Sequence, residues 1–312
     1  MITAPILKTL DQSKRILIAG AGGGYDIFGG IPLFFELNEL GKEVHLANYS
    51  FTNLKKLPFA EPEESAPSLF QVFEDSSAEE RYCPEAWLAR WLRVETGKKL
   101  PIWCFEQTGV KPLQQAYKYL IDHLKLDTII LIDGGIDSIL RGDESSIGTP
   151  AEDMTSLYTV QSVDVPTKLI SCVGFGAELR DGICHEQALD RIAELTRVGA
   201  FLGTSSLVNQ TDIGQKYRSA VEYVFEKQSE VRRSHIHSVI IEAMDGNYGQ
   251  IADNVWISPL LTMYWFFSLP EVADTHLFLA EIGWTEGLLE VVRYLEGLRT
   301  EVNVRGKSRI PI

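Results

Sequence analysis

The feature that most constrains the fold of this chain is a regular alternation of short β-rich runs with longer stretches of helical apolar spacing. This alternation predicts parallel strands joined by helices, because a crossover between parallel strands needs a dozen or more residues. We expect strands at residues 15–20, 43–48, 102–106, 128–133 and 168–175. Right-handed crossovers then predict an α/β fold with a doubly wound, mostly parallel, Rossmann-like sheet, for which we take the strand order 3-2-1-4-5.

One segment interrupts the alternation in the first half of the chain. Residues 50–80 are rich in Pro, Ser and Glu, which predicts an irregular excursion and makes this segment a candidate lid. We expect a single α/β domain over residues 1–312. It would consist of a Rossmann-like core at about 15–176 and a helical C-terminal portion at about 177–300 packed on that core.

The residues after 176 have mostly helical spacing. The stretch "SHIHSVIIEAMDG" has apolar residues at i, i+3, i+4 and i+7, which predicts a helix capped by Ser234. His235 and His237 do not share a face of that helix, so we do not expect them to form a zinc pair. The aromatic run "MYWFFSLP" is typical of a core segment or a subunit interface.

The charge balance indicates a small-molecule ligand. The 312 residues include 29 Lys and Arg against 43 Asp and Glu, a net charge of −14, which disfavours binding to nucleic acid or to an anionic membrane. We find neither a spanning apolar segment nor a secretory signal pattern, so we expect no membrane association and a cytoplasmic location. Four widely spaced cysteines favour reduced thiols. Both a monomer and a homo-oligomer fit the sequence.

A long glycine loop follows the first predicted strand. Gly20 and Gly22 match the start of the dinucleotide fingerprint, but Tyr25 takes the place of its third glycine and the second strand ends at Asn48 rather than at an acidic residue. NAD is therefore an unlikely cofactor, and the P-loop pattern fails because no Gly-Lys-Ser/Thr follows. The loop Gly20–Gly30 leads into a helix start, which favours an anion such as a phosphate or a carboxylate. The ligand-binding residues that we predict in this loop are Gly22, Gly23, Gly24 and Asp26.

Asp26 is the unexpected residue of this loop. Its charge would repel a phosphate unless a cation, a sugar hydroxyl or a basic ligand group lay between them. Alternatively, Asp26 caps backbone amides within the turn.

A second group of acidic residues follows the fourth predicted strand. Asp133 and Asp137 flank Gly134 and Gly135 at the strand end, where open α/β sheets bind ligands. A capping box at residues 149–152 predicts a helix from Pro150 with Asp153 on its first turn. We predict catalytic roles for Asp133 and Asp137, and ligand contacts for Gly134, Gly135, Glu144 and Asp153.

The clustered carboxylates fit three chemistries. They could hold Mg²⁺ against a phosphate, bind a cationic or polyhydroxyl ligand, or act as acid and base. The candidate metal ligands are Asp26, Asp133 and Asp137. Glu178 emerges at the same edge after the fifth strand, and His185 begins the next helix, so both are candidate general acids or bases.

Four segments together resemble a known family. "GAGGGYDIFGGIPL", "DGGIDSILRGDE", "TPAEDM" and "VGFGAELRDGICHEQALDRIA" are similar to domain of unknown function 1152, over about Arg15 to about Pro270. The resemblance implies a Rossmann-like α/β protein. It implies no reaction, so it assigns no residue a role.

The residues favour an enzyme, a hydrolase or group transferase, that acts on a small phosphorylated or nucleotide-like metabolite. Two alternatives stay open: an enzyme for an amine or guanidine substrate in the same acidic crevice, and a regulatory protein that binds a metabolite without catalysis. A scaffold role would be favoured if the glycine loop were packed shut.

Overall fold

The computed structural model describes residues 4–76, 82–148, 150–228, 232–251 and 255–310. Nine strands of these residues form one sheet, and two more form a separate hairpin. The strands are β1 (Arg15–Gly20), β2 (Glu43–Tyr49), β3 (Pro62–Glu63), β4 (Ala66–Val72), β5 (Ile102–Phe105), β6 (Thr128–Gly134), β7 (Thr167–Val173), β8 (Phe201–Ser206), β9 (Gly249–Ile251), β10 (Val255–Ile257) and β11 (Met263–Ser268). The large sheet has the order β3-β4-β5-β2-β1-β6-β7-β11-β8, and β9 pairs with β10.

The centre of the sheet confirms the predicted fold class. Strands β5, β2, β1, β6 and β7 pair in parallel, which is the expected order 3-2-1-4-5. The chain moves outward from β1 through β2 to β5 and then crosses to β6 on the other side of β1. The topological switch point therefore lies between β1 and β6, and the loops that follow these two strands meet at the carboxyl edge of the sheet.

Helices cover both faces of the sheet, which makes the fold doubly wound. Alternate residues of β1 belong to different cores, with Ile16 and Ile18 on one face and Leu17 and Ala19 on the other. On the face of Ile16 lie α1 (Pro5–Asp11), α2 (Asp26–Gly29), α3 (Ile31–Glu39), α4 (Pro84–Thr96), α8 (Asp212–Lys227) and α9 (His235–Met244). On the face of Leu17 lie α5 (Val110–Leu124), α6 (Pro150–Ser162), α7 (His185–Arg197), α10 (Leu269–Asp274) and α11 (Leu288–Glu301).

The part of the chain after residue 176 is less helical than predicted. It adds β11 and β8 to the sheet, and β11 lies antiparallel between β7 and β8. The aromatic run is this inner strand, and Tyr264, Phe266 and Phe267 are buried in it, so the core interpretation is confirmed. A six-residue run buried on both faces shows little alternation of polar and apolar residues, which is why its sequence did not identify it as a strand.

Residues 50–80 are more regular than predicted. Strand β4 pairs antiparallel with β5, and β3 pairs with β4, so this segment forms one edge of the sheet instead of an irregular excursion. Residues 77–80 lie outside the described residues, and the lid role stays a prediction. Thr149, the first residue of the predicted capping box, also lies outside them, while α6 begins at Pro150 as expected.

The helix that was predicted to begin after Ser234 is present. Helix α9 begins at His235, and the Ser234 hydroxyl accepts a hydrogen bond from the backbone N–H of His237 at 3.2 Å. In the described part of the chain, no helix combines the length and apolar character needed to cross a bilayer. The four cysteines, Cys83, Cys104, Cys172 and Cys184, are buried and unpaired, as expected for reduced thiols.

Candidate functional site

The site is built on the two strand ends that flank the switch point. Gly20 at the end of β1 pairs in register with Ile132 of β6, so Asp133 and Gly134 lie directly beside the start of the glycine loop. The backbone N–H of Gly134 donates a hydrogen bond to Asp26 Oδ1 at 3.3 Å. One carboxylate of the glycine loop thus reaches the neighbouring strand end, as the strand order requires.

Asp26 also organises its own loop. Its Oδ2 accepts hydrogen bonds from the backbone N–H groups of Gly22 at 2.6 Å and Gly23 at 3.0 Å. The interpretation of Asp26 as a cap of turn amides is therefore confirmed. These two N–H groups face Asp26, so they are not the anion donors that the glycine pattern suggested.

Three buried carboxylates converge beside this loop. Asp26, Asp133 and Asp153 each place one carboxylate oxygen within 4.8 Å of the corresponding oxygens of the other two. Asp153 reaches them from the first turn of α6, as the sequence predicted for that turn. Of the described residues, these three form the set that could share a metal ion, so the third member is Asp153 and not the predicted Asp137.

Asp137 instead belongs to a neighbouring pair with Glu178. The Glu178 Oε2 accepts hydrogen bonds from the backbone N–H groups of Ile136 at 2.6 Å and Asp137 at 3.2 Å. This carboxylate also lies against Gly135, where a Cβ would come within 2.5 Å of its carboxyl carbon. Glu178 therefore holds the loop after β6 in place.

Burial and mutual repulsion raise the pKa values of these acids. Burial raises the pKa of Asp26 to about 7, and the nearby Asp137 adds to this effect, although three backbone N–H groups oppose it. Burial, followed by the charges of neighbouring carboxylates, raises the pKa of Asp133 and Asp153 well above the usual range. The same causes, with a hydrogen bond to Asp137, raise the pKa of Glu178. The group cannot be fully ionised at neutral pH without a compensating cation.

A cavity of about 490 Å³ opens directly above the glycine loop. Gly23, Gly24, Asp26 and Gly134 form its floor, so four of the eight predicted ligand residues, drawn from both loops, share one cavity, whereas Gly22, Gly135, Glu144 and Asp153 do not line it. Its remaining walls come from the segment after β2, the start of α4 and the start of α9. These wall residues are Tyr25, Phe51, Tyr82, Arg232, Arg233, Ser234, Ile236 and His237.

Two arginines of this wall were missed by the sequence interpretation. Arg232 and Arg233 directly precede Ser234, the N-cap of α9, and both line the cavity that contains Asp26. Adjacent arginines just before a helix cap are a signal that could have identified them, because guanidinium groups and a helix N-terminus both favour anions. No comparable signal pointed to Phe51 or Tyr82.

His237 fixes the position of the glycine loop. Its Nε2 donates to the backbone carbonyl of Tyr25 at 2.9 Å, so its Nδ1 accepts the Tyr217 hydroxyl hydrogen at 2.6 Å. Burial lowers the pKa of His237 to about 4, which keeps the ring neutral. With both ring nitrogens engaged, this histidine is a structural element of the cavity wall.

The Tyr25 side chain lies beside this histidine, with the two ring centroids 6.3 Å apart, and both residues line the cavity. The residue is 7% exposed, and its hydroxyl is buried without a hydrogen-bond partner among the described residues. Burial raises the pKa of the Tyr25 hydroxyl above its usual range, so the group keeps its proton and remains a donor at every physiological pH. Because the hydroxyl is buried, the part of Tyr25 that lines the cavity is its ring and backbone, and the hydroxyl is a buried donor beneath that wall.

Asn48 explains why the dinucleotide fingerprint is incomplete. Its side-chain amide donates to the Gly24 carbonyl at 2.9 Å and to Glu85 Oε1 at 2.9 Å. The residue at the position of the ribose-binding acid therefore connects the glycine loop to α4 and is fully buried.

Two predicted site residues have other surroundings. Glu144 accepts from the backbone N–H groups of Arg141 and Gly142 and pairs with Arg305 at 3.2 Å, so it holds the C-terminal segment against the loop after β6. The His185 ring packs against Phe175, with Nε2 directed towards Gly176, and burial lowers its pKa. We leave both outside the ligand site.

The comparison with protein families identifies the family of this chain. The model of a family described as "Protein of unknown function (DUF1152)" matches residues 67–307. The chain belongs to this family. No curated protein and no solved structure matches the chain.

The residues matched by the family model include only part of the site. Asp133, Asp153, Arg232 and Arg233 lie within the matched DUF1152 residues. The glycine loop, including Asp26, precedes them, although it contributed to the resemblance noted from the sequence. The family description supplies no activity, so the chemistry of the site rests on its geometry.

The raised pKa of Asp26 predicts how stability depends on pH. Between pH 4 and pH 7 the unfolded chain releases this proton while the folded protein keeps it, so stability falls as the pH rises through this window. One retained proton corresponds to a slope of about 1.4 kcal/mol per pH unit. Urea unfolding in EDTA should show a shallower decline for Asp26→Asn than for the wild type. Asp122→Asn, an exposed carboxylate of α5, is the control, and equal slopes for wild type and Asp26→Asn would refute the assignment.

The two buried tyrosines around His237 predict opposite effects on stability. Tyr25→Phe removes an unsatisfied hydroxyl, so its melting temperature should equal or exceed that of the wild type. Tyr217→Phe removes the partner of His237 Nδ1 and should lose about 1–3 kcal/mol. Thermal unfolding of both variants measures the difference. A clear loss of stability in Tyr25→Phe would mean that its hydroxyl has a partner in the folded protein.

Proposed function

We propose that this protein is an enzyme, a hydrolase or group transferase, that acts on a small phosphorylated or nucleotide-like metabolite at the carboxyl edge of the sheet. The observation that carries the proposal is the shared position of Asp26. This residue belongs both to the buried carboxylate cluster and to the cavity lined by Arg232 and Arg233. A ligand in this cavity would contact an anion-binding wall and an acidic floor.

The arginine wall favours a phosphate as the anionic group. Arg232 and Arg233 lie just before helix α9, whose first turn carries the positive end of the helix dipole. Guanidinium groups bind phosphate through paired hydrogen bonds.

The carboxylate cluster, which adjoins the cavity through Asp26, is the candidate reaction centre. Carboxylates with raised pKa values can hold a proton at neutral pH and exchange it with a substrate, or they can ligate a cation that stabilises negative charge. Both arrangements suit transfer or hydrolysis of a phosphorylated group. Hydride transfer from NAD is disfavoured, because buried Asn48 stands in place of the ribose-binding acid.

The charges of the cavity also weigh against an amine or guanidine substrate. The carboxylates alone would favour a cationic ligand, but such a ligand would share the cavity with the like charges of Arg232 and Arg233. A phosphorylated ligand accounts for the arginines as well as the carboxylates, so we prefer this proposal.

Removing the two arginines tests the anionic ligand. In thermal-shift titrations with nucleotides and sugar phosphates, Arg232→Gln with Arg233→Gln should weaken binding at least tenfold, because each charge-assisted hydrogen bond contributes about 1.5–3 kcal/mol. Arg197→Gln, an exposed arginine at the end of α7, is the control. The phosphate proposal fails if no compound of the panel stabilises the wild type, with or without Mg²⁺.

Asp133 separates an enzyme from a protein that only binds. Its Oδ2 accepts from the backbone and hydroxyl of Ser138, and an amide oxygen can keep both contacts. For a phosphorylated compound that the wild type turns over, we expect Asp133→Asn to lower kcat by about 100-fold or more, with the dissociation constant within about threefold. Binding without turnover in the wild type would instead identify a regulatory protein.

A further inference from the structure

The carboxylate cluster has the dimensions of a coordination shell. One oxygen each from Asp26, Asp133 and Asp153 lies within 4.8 Å of the other two. Opposite ligands of an octahedral Mg²⁺ ion are about 4.2 Å apart, and those of Ca²⁺ about 5 Å apart. Three elements supply these residues, namely the glycine loop, the end of β6 and the first turn of α6.

An independent observation points to a missing ligand at this cluster. Asp153 is 2% exposed, and its Oδ1 is buried without a hydrogen-bond partner among the described residues. Burial of a carboxylate oxygen in this position costs free energy, because the oxygen loses its hydrogen bonds to water and gains none from the described residues. Asp26, in contrast, satisfies its oxygens with backbone N–H groups.

The absence of a side chain at Gly22 keeps this space open. A Cβ at this position would lie 2.7 Å from Asp153 Oδ1 and 3.1 Å from Asp26 Oδ2. The oxygens of two different elements therefore face the same point above the Gly22 backbone. Gly22 lies outside the left-handed region, so the tight turn alone does not demand a glycine here.

The charges that act on Asp153 are of one sign. The electrostatic neighbours that act on Asp153 are Asp137, Asp133, Asp26 and Glu178, all of which are acids. Arg191, a fully buried arginine, binds the Ile139 carbonyl and Glu194 instead. A cation would replace the protons that these carboxylates otherwise keep.

We propose that Asp26, Asp133 and Asp153 bind one divalent metal ion, of the hard, oxygen-preferring class represented by Mg²⁺ and Mn²⁺. The donors are all carboxylate oxygens, which suit these ions and not the softer metals that favour thiolate or imidazole. Mg²⁺ typically uses a few carboxylates and completes its shell with water and substrate phosphate. Placement of the ion against a phosphate in the cavity rests on the proposed function, whereas binding of the ion does not.

Calorimetric titration of the full-length protein with MgCl₂ and MnCl₂, after EDTA treatment and dialysis, tests the site. We expect one ion per chain in the wild type. Asp153→Asn should weaken Mn²⁺ binding at least tenfold. Gly22→Ala should weaken it comparably although the variant retains all three carboxylates, because its methyl group would occupy the space between Asp153 and Asp26.

The matched controls are Gly297→Ala and Asp122→Asn. A Cβ at Gly297 meets no atom within 4 Å, and Asp122 is exposed on α5, so both variants should bind Mn²⁺ like the wild type. Circular dichroism checks that each variant is folded, and Gly22→Ala decides the question if Asp153→Asn does not fold. No binding by the wild type, or equal binding by wild type and Gly22→Ala, would overturn the proposal.

The outcomes also separate this inference from the proposed function. Metal binding that depends on Asp153 and Gly22, without any phosphorylated ligand, would support the ion site and count against the phosphate substrate. Phosphate binding that depends on Arg232 and Arg233, without any metal binding, would support the substrate class and overturn the ion site.

Discussion

The hydrogen bonds of Asp26 are the interaction on which the rest of the site depends. One carboxylate accepts from Gly22 and Gly23 of its own loop and from Gly134 at the end of β6. It therefore fixes the shape of the glycine loop and joins the two strand ends at the switch point. His237 holds the other side of this loop through the Tyr25 carbonyl. The cavity between these contacts is consequently formed before any ligand arrives.

Burial of several carboxylates beside one another has a second consequence. Asp26, Asp133 and Asp153 repel one another, and desolvation raises their pKa values, so the site holds either protons or a cation. A bound cation is favoured over retained protons by two features: the Asp153 Oδ1 has no hydrogen-bond partner among the described residues, and the space at Gly22 is open. Arg232 and Arg233 line the same cavity as Asp26, and under the proposed function they would contact the anionic group that such an ion helps to bind. Opposite charges on the floor and wall would orient a ligand between them.

The sequence predicted those parts of the structure that depend on local pattern. The alternation of strands and helices predicted the sheet order. The positions of two loops at neighbouring strand ends predicted that Asp26 and Asp133 lie close together. Strands β4 and β11 escaped prediction because they pair antiparallel with segments distant in sequence, for which short runs carry no signal. The sequence predicted Asp137 as the third metal ligand, where the structure has Asp153, for a similar reason. Asp137 is buried too, but which buried carboxylates come within ligand distance of one another depends on contacts such as that of Asp137 with Glu178, which sequence spacing does not specify.

The most direct test of this account is the anomalous scattering of Mn²⁺ in crystals of the full-length protein. The account predicts one peak bounded by the carboxylates of Asp26, Asp133 and Asp153, with the Asp153 Oδ1 as a ligand. It also predicts that the peak disappears in Gly22→Ala crystals prepared identically. A peak between Asp137 and Glu178, or none at the cluster in wild-type crystals that contain Mn²⁺, would contradict it.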